Sequence, residues 1–214
     1  LEGVLRNANI PVSYVPYEKL NKLTRQNHQG VVAQIAPVSF QPLESTIDTL
    51  IASEVNPLIL VLDEVSDVRN FGAILRTAEC VGVNAVIFPD RGSAPVNADT
   101  VKTSAGAVFN IPLIKVAHLK DAIYYLQASG ISVIAATEKT ESDLFAVNMS
   151  GPSAILMGSE GTGISPALLN LVEHKAAIPM KGEIGSFSVS VAAAVFLYEA
   201  RRQGLWQLEG FYLS

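Results

Sequence analysis

From Leu58 onward the chain carries short apolar runs that no polar residue, or only one, interrupts: Leu58–Leu62, Ala85–Phe88, Leu113–Val116, Val133–Ala136, Ala154–Met157 and Ala176–Ile178. A strand with one wet face alternates polar and apolar side chains, whereas a continuous apolar run must be covered on both faces. Between these runs lie segments of helical spacing, Asn70–Val81, Ala98–Ala107, Leu119–Ala128, Pro166–Val172 and Ser188–Arg202. Alternation of this kind predicts an α/β fold: a mostly parallel sheet with helices on both faces. The 49% hydrophobic share supplies enough core for it, and with only 16% charged residues the composition excludes a disordered chain.

The first 57 residues read differently. Ile10–Val15 and Gly30–Ile35 have the look of short strands with a helix between them, too little for a core of their own. Residues 1–37 therefore read as the end of a small α/β domain, and residues 38–57, bracketed by Pro37, Pro42 and Pro57, as a linker with one short helix. Residues 58–214 form the main domain on this reading.

Charge and cysteine content narrow the function classes. Net charge is −5, so an RNA partner would be met by local patches instead of a global field. Residues 1–34 carry Arg6, Lys19, Lys22 and Arg25 against Glu2 and Glu18. Cys80 is the one cysteine, which excludes an internal disulfide and fits a reducing cytoplasm. His28, His118 and His174 lie far apart, and no metal site is expected. The longest apolar run, Val189–Tyr198, is half of the roughly 20 residues that span a bilayer, and no signal peptide opens the sequence, so no membrane role is expected.

Three segments could carry chemistry. In residues 63–82 a strand leads into a helix; Asn70 reads as its N-cap, Gly72 permits close backbone approach, and Arg76 sits about two turns in. These residues read either as a capped helix with a snorkelling arginine or as Asn70 and Arg76 facing a polyanion together. Residues 155–169 hold a loop with three glycines before Ser165-Pro166 starts a helix. The loop lacks the Gly-Lys-Ser/Thr ending of a phosphate loop, and Glu160 within it would repel an anion, so a neutral or cationic ligand fits better. In residues 176–203 a strand ends at Pro179, a glycine-bearing loop follows, and then comes a helix apolar around most of its circumference, as in helices buried on several sides.

NFGAILRTAE, MGSEGTGI and IPMKGEIGSFSVSVAAAVFLYEARRQ, in this order and at these distances, resemble the three motifs of the SpoU/TrmH branch of the SPOUT methyltransferases over residues 58–203. Within that family PVNADTVKTSAGAV, residues 95–108, is most similar to the bacterial 23S rRNA guanosine-2′-O-methyltransferases. NHQGVVAQIAP is similar to the end of the L30e-like RNA-binding domain of many members. The resemblance implies a C-terminal deep trefoil knot, which is a rare exception to unthreaded topology. It also implies S-adenosylmethionine as cofactor, with S-adenosylhomocysteine as product, RNA as partner, and a homodimer. Carried over by position, cofactor contacts fall near Thr137, Gly158, Gly161, Ile178 and Phe187. Arg76 matches the catalytic arginine. Arginine holds its proton up to a pH of about 12, so a phosphate-positioning, charge-stabilising role suits it better than that of a base. Asn70 would orient the hydroxyl or the arginine, Glu160 would hold Arg76 or a loop N–H, and Ser186 would lie near the methyl donor. Arg69 and Lys102 are candidate phosphate contacts beside Arg76.

Ser188 departs from the family, where an asparagine is usual. One hydroxyl replaces a two-donor amide with a carbonyl acceptor. Three readings follow: an active rRNA ribose methyltransferase, with tRNA as the alternative substrate; a non-catalytic RNA-binding or ribosome-assembly relative; or an unrelated doubly wound nucleotide-binding enzyme. The tail Trp206–Ser214 lacks the basic extension expected of tRNA-directed relatives.

Overall fold

The computed structural model describes residues 5, 12–25, 27–33, 37–53 and 56–204; the tail from Trp206 lies outside them. The chain divides into two compact units, Leu1–Ile35 and Ala36–Ser214.

In the first unit the expected helix is present as α1 (Tyr17–Leu23), started by Pro16 and burying no residue. It is followed by a turn in which Gln29 and Gly30 take φ of 48° and 82°. His28 ties this turn down: its Nδ1 accepts from the Gly30 N–H at 3.1 Å, and Nε2 lies 3.0 Å from Oδ1 of Asn21. The two expected strands are not found at residues 12–15 and 30–33, and the remainder of both runs lies outside the described residues. A strand exists only when a neighbour completes its ladder, and an alternating apolar pattern does not supply one.

The second unit is a six-stranded sheet in which every pairing is parallel. Its strands are β1 (Leu58–Leu62), β2 (Ala85–Pro89), β3 (Leu113–Val116), β4 (Ser132–Ala136), β5 (Ser153–Met157) and β6 (His174–Ala176), in spatial order β3-β2-β1-β5-β4-β6. Leu58, Leu60 and Leu62 point into one core with Phe71, Ile74 and Leu75 of α3 (Val68–Val81) and Phe196 and Leu197 of α7 (Val189–Gly204). Ile59 and Val61 point into the other, against Ile47 of α2 (Leu43–Ala52), Ile123 and Leu126 of α5 (Leu119–Ala128), and Leu168 of α6 (Pro166–Leu169). Burying a side chain of this size contributes about 1.5–3 kcal/mol. The helix read as part of a linker thus closes one wall of the second unit.

Several boundaries differ from the pattern for identifiable reasons. The N-cap of α3 is Asp67, not Asn70: Oδ1 of Asp67 accepts from the N–H groups of Arg69 and Asn70 at 2.9 and 2.8 Å. α4 spans only Ala98–Thr103, because Ala105 and Gly106 take φ of 51° and 87°, which no α-helix passes through. A single 3₁₀ turn, Ala107–Phe109, follows. β6 ends at Ala176, two residues early, and Ala177 instead makes a single bridge to Asp143. Gly72 does meet close backbone packing, but its neighbour is Thr103 of α4, which an added Cβ would overlap. α7 is buried or half-buried around most of its circumference and exposes a narrow stripe, on which Val191 and Tyr198 are 46% and 50% exposed. Arg201 ties α7 to the end of α3, donating from Nε to the Val81 carbonyl at 2.9 Å and from Nη2 to that of Gly82.

The chain runs outward through β1, β2 and β3, crosses to β4, and returns to place β5 between β1 and β4. Ligands of open parallel sheets bind beyond the carboxyl ends of the strands, where the order reverses. Here that place is ringed by the loops after β1, β4, β5 and β6.

Candidate active site

The loop after β5 is a tight hairpin. Ser159 and Gly163 exchange backbone hydrogen bonds of 3.2 and 2.9 Å, and the hydroxyls of Ser159 and Thr162 meet at 2.7 Å. Gly158 lies under the hairpin, where a Cβ would overlap the backbone of Gly163 and Ile164. Gly161 is at the tip, with open space where its Cβ would be. Asp63, buried at the end of β1, anchors the far side: Oδ2 accepts from the Ser165 N–H at 2.8 Å, and its own N–H donates to the Met157 carbonyl at 2.7 Å. Nothing in the spacing of the sequence singled out Asp63, although an acid closing an apolar strand is the available signal.

Beside this hairpin is a cavity of about 340 Å³. Thr137, Gly158, Gly161, Ile178 and Phe187, the five residues expected near a cofactor, all line it, as do Glu160 and Ser186. Glu138 and Lys139 line it too, from a loop that carries no motif, and so does Met180, which lies within the third motif but was not singled out there. Thr137 is buried; its N–H is taken by the Ala176 carbonyl at 3.0 Å and its hydroxyl accepts from the Lys139 N–H at 3.2 Å, which leaves its carbonyl for a ligand. Phe187 is 44% exposed at the rim. Cavities of this size, part apolar and part backbone-lined, suit a small organic ligand, and two carboxylates, Glu138 and Glu160, against one cation, Lys139, leave a net negative wall that favours a cationic one.

On the opposite side of the hairpin lies a second depression, lined by Glu64, Asp67 and Asn70 and sharing Ser159–Thr162 and Val189 with the first. At the boundary of the two, the Asn70 side-chain amide donates to Oε2 of Glu160 at 2.9 Å. Glu160 was expected to hold Arg76 or a loop N–H; among the described residues its partner is Asn70 instead. Ser188 precedes α7, its carbonyl accepting from the Ala192 N–H at 2.9 Å and its hydroxyl 3.4 Å from that of Ser190. Arg69 and Arg76 are exposed on α3, seven residues apart and so on one side of the helix, and Lys102 is exposed on α4; none of the three lines the cavity. Among the described residues no group of three His, Cys, Asp or Glu could hold a metal ion, and no helix is long and apolar enough to cross a membrane.

Residues 57–198 match the family model described as SpoU rRNA Methylase family. The chain belongs to this family. Residues 2–41 match a second model, RNA 2′-O ribose methyltransferase substrate binding. The 23S rRNA (guanosine-2′-O-)-methyltransferase RlmB of Vibrio vulnificus is 38% identical over 179 residues, 84% of this chain and 72% of that protein. Among solved structures, the AdoMet-bound rRNA methyltransferase of Sinorhizobium meliloti superposes with a TM-score of 0.70 at 26% identity, covering 89% of this chain and 71% of that one. The SpoU methyltransferase AviRb of Streptomyces viridochromogenes, in complex with AdoMet, gives 0.65 at 27% identity over 70% of this chain; the SpoU-family chain described here spans 61% of AviRb.

Proposed function

We propose that this SpoU-family protein transfers a methyl group from S-adenosylmethionine to a ribose 2′-hydroxyl of structured RNA, with a guanosine of 23S rRNA as the substrate. One observation carries the reading: a glycine-floored cavity and a second depression share one hairpin wall, and the Asn70–Glu160 pair stands on it. A methyl donor on one side and an acceptor nucleoside on the other meet at that wall. The name of the Vibrio relative supports the choice of rRNA guanosine.

The residues present fit the donor. Gly158 keeps the floor open, Ile178 and Phe187 offer apolar surface to a purine, and Glu138 and Glu160 oppose a positive charge. Bound there, the sulfonium supplies an electrophilic methyl group. A ribose hydroxyl is a weak nucleophile until its proton leaves, here to water or to the neighbouring RNA phosphate. Asn70, fixed by Glu160, orients that hydroxyl, and Ser186 lies on the donor side. Arg76, exposed on α3, takes an RNA phosphate and stabilises the negative charge that grows during attack, with Arg69 and Lys102 as further phosphate contacts.

The same reading makes residues 1–37 an L30e-like RNA-binding piece, which the match over residues 2–41 and the excess of basic residues there support. It makes Ile178–Gln203 part of a trefoil knot, and exposed Ile184, Val191 and Tyr198 part of a homodimer surface. The setting is the cytoplasm. Ser188 favours a second reading, a non-catalytic RNA-binding relative.

Transfer of tritiated methyl groups from S-adenosylmethionine to undermodified rRNA and tRNA, followed by mapping, tests the proposal. Label on a 23S guanosine ribose is expected. Label on tRNA alone replaces the substrate, and cofactor binding without transfer to either RNA leaves the second reading.

A further inference from the structure

The depression across the hairpin from the donor cavity measures about 430 Å³. Three carboxylates border it, and two are occupied. Asp67 accepts the N–H groups that start α3, and Glu160 accepts from Asn70. Glu64, which is exposed, has no hydrogen-bond or ion-pair partner among the described residues. Its backbone is unusual as well: φ is 55°, in the left-handed region that a residue with a Cβ rarely enters. Its side chain runs across Gly92, where an added Cβ would stand 3.1 Å from Cγ and 3.5 Å from Oε1 of Glu64. Gly92 itself takes φ of 80°. Two adjacent loops thus adopt costly or glycine-dependent conformations, and the result is an uncommitted carboxylate at an acceptor depression. Strain of this sort persists where function holds it.

Resting on the methyl-transfer reading above, we infer that Glu64 is a specificity-determining residue that reads the base of the acceptor nucleotide and selects guanine. An ionised carboxylate only accepts hydrogen bonds, through two oxygens side by side. Among the Watson–Crick edges of the four bases, only guanine presents two adjacent donors, N1–H and N2–H, to match them. Adenine and cytosine each set a donor beside an acceptor, and uracil flanks one donor with two acceptors. Each of those three would turn a lone pair toward the carboxylate. Enzymes that modify a nucleotide drawn out of its stack read this edge, and charge-assisted pairs of this geometry are the strong ones.

The test compares single-turnover methylation of an RNA fragment carrying the mapped target guanosine with the same fragment carrying inosine there, which lacks the N2 amino group. The wild-type protein is expected to prefer guanosine by roughly tenfold or more. Glu64→Gln and Glu64→Gly are each expected to lose most of that preference. Glu64→Gly also relieves the left-handed backbone and is expected to melt at the same temperature or higher, which separates loss of selectivity from unfolding. Retention of the full preference by Glu64→Gly, no preference in the wild type, or mapping to a nucleotide other than guanosine overturns this inference alone and leaves methyl transfer standing. Absence of transfer by the wild type to any RNA overturns the methyl-transfer reading and this inference with it.

Discussion

The Asn70 side-chain amide donates to Oε2 of Glu160 at 2.9 Å, joining the first turn of α3 to the hairpin after β5 across ninety positions of sequence. Neither residue caps its own element: Asp67 caps α3, and Ser159, Thr162 and Gly163 close the hairpin by themselves. The pair is therefore free to serve the site. Asn70→Ala is expected to slow methyl transfer by roughly 100-fold, as misplacement of a reacting group does, while changing stability by less than about 0.5 kcal/mol. Glu160→Gln is expected to be milder, since its amide oxygen still accepts. Single-turnover rates beside thermal melts check both, and a loss of rate matched by a loss of fold would remove Asn70 from the site.

What could be read from the sequence was what is local or periodic. β1 and β5 were plain because a run such as Leu58–Leu62 has no solvent face, whereas the five residues named for a cofactor came from the family resemblance, and the fold brings them to one cavity because loop ends of parallel strands converge. The Asn70–Glu160 pair could be named as two residues but not as partners, since the fold alone closes ninety positions. The cap of α3 was misplaced because Asp67 and Asn70 are both good capping residues and only geometry decides which oxygen reaches the free N–H groups. Glu64 was passed over entirely, as a left-handed backbone at a residue other than glycine leaves no trace in the sequence.

Gly158→Ala bears on the floor of the donor cavity. The added Cβ would overlap the backbone of Gly163 and Ile164, so the hairpin must shift or the strand end must move. Titration calorimetry with S-adenosylhomocysteine is expected to show affinity reduced by at least about fivefold, in line with about 1–3 kcal/mol for overpacking. Gly161→Ala, with open space around it, is the control and is expected to fold with unchanged melting.

Asp63 holds the same hairpin from beneath. Replacing it by alanine leaves the Ser165 N–H without its acceptor, at a cost of about 1–3 kcal/mol. Asp63→Asn keeps one acceptor oxygen and is expected to recover most of that. Urea denaturation of the two variants beside the wild type measures the difference. Equal stabilities for alanine and asparagine would show that the hydrogen bond contributes nothing.

Glu199 sets a pH dependence. It is buried on α7 and accepts from Nε and Nη2 of Arg202 at 2.8 and 2.7 Å and from Gln203 at 2.8 Å. Arg202 first, and Gln203 with it, hold its carboxyl below the ordinary value of 4.5 against the opposing effect of burial. A carboxylate depressed in the folded state adds stability above its unfolded pKa, and that contribution is lost as pH falls through the folded one. The wild type is therefore expected to be more stable than Glu199→Gln near pH 7, and the gap is expected to narrow below about pH 4.5. Melting temperatures of both proteins between pH 7 and pH 3 check the sign; a gap that widens on acidification contradicts it.

Ser188 is where sequence and family part, and its surroundings make the departure testable. The residue is half-buried just before α7, which its carbonyl starts, and among the described residues its hydroxyl reaches only Ser190, at a long 3.4 Å. Ser188→Ala thus removes little and is expected to change the methyl-transfer rate by less than about twofold. Ser188→Asn keeps a residue well suited to a helix start and adds an amide with two donors and a carbonyl. One further hydrogen bond of about 1 kcal/mol corresponds to roughly a fivefold gain in rate. That gain is expected in the methyl-transfer step at saturating RNA, with RNA affinity unchanged, because Phe187 and Val189 on either side of it line the cavity, although Ser188 itself does not, and the exposed cations stand on other helices. A rate that falls on Ser188→Asn, with folding intact, would mean that this chain has adjusted its site around the serine.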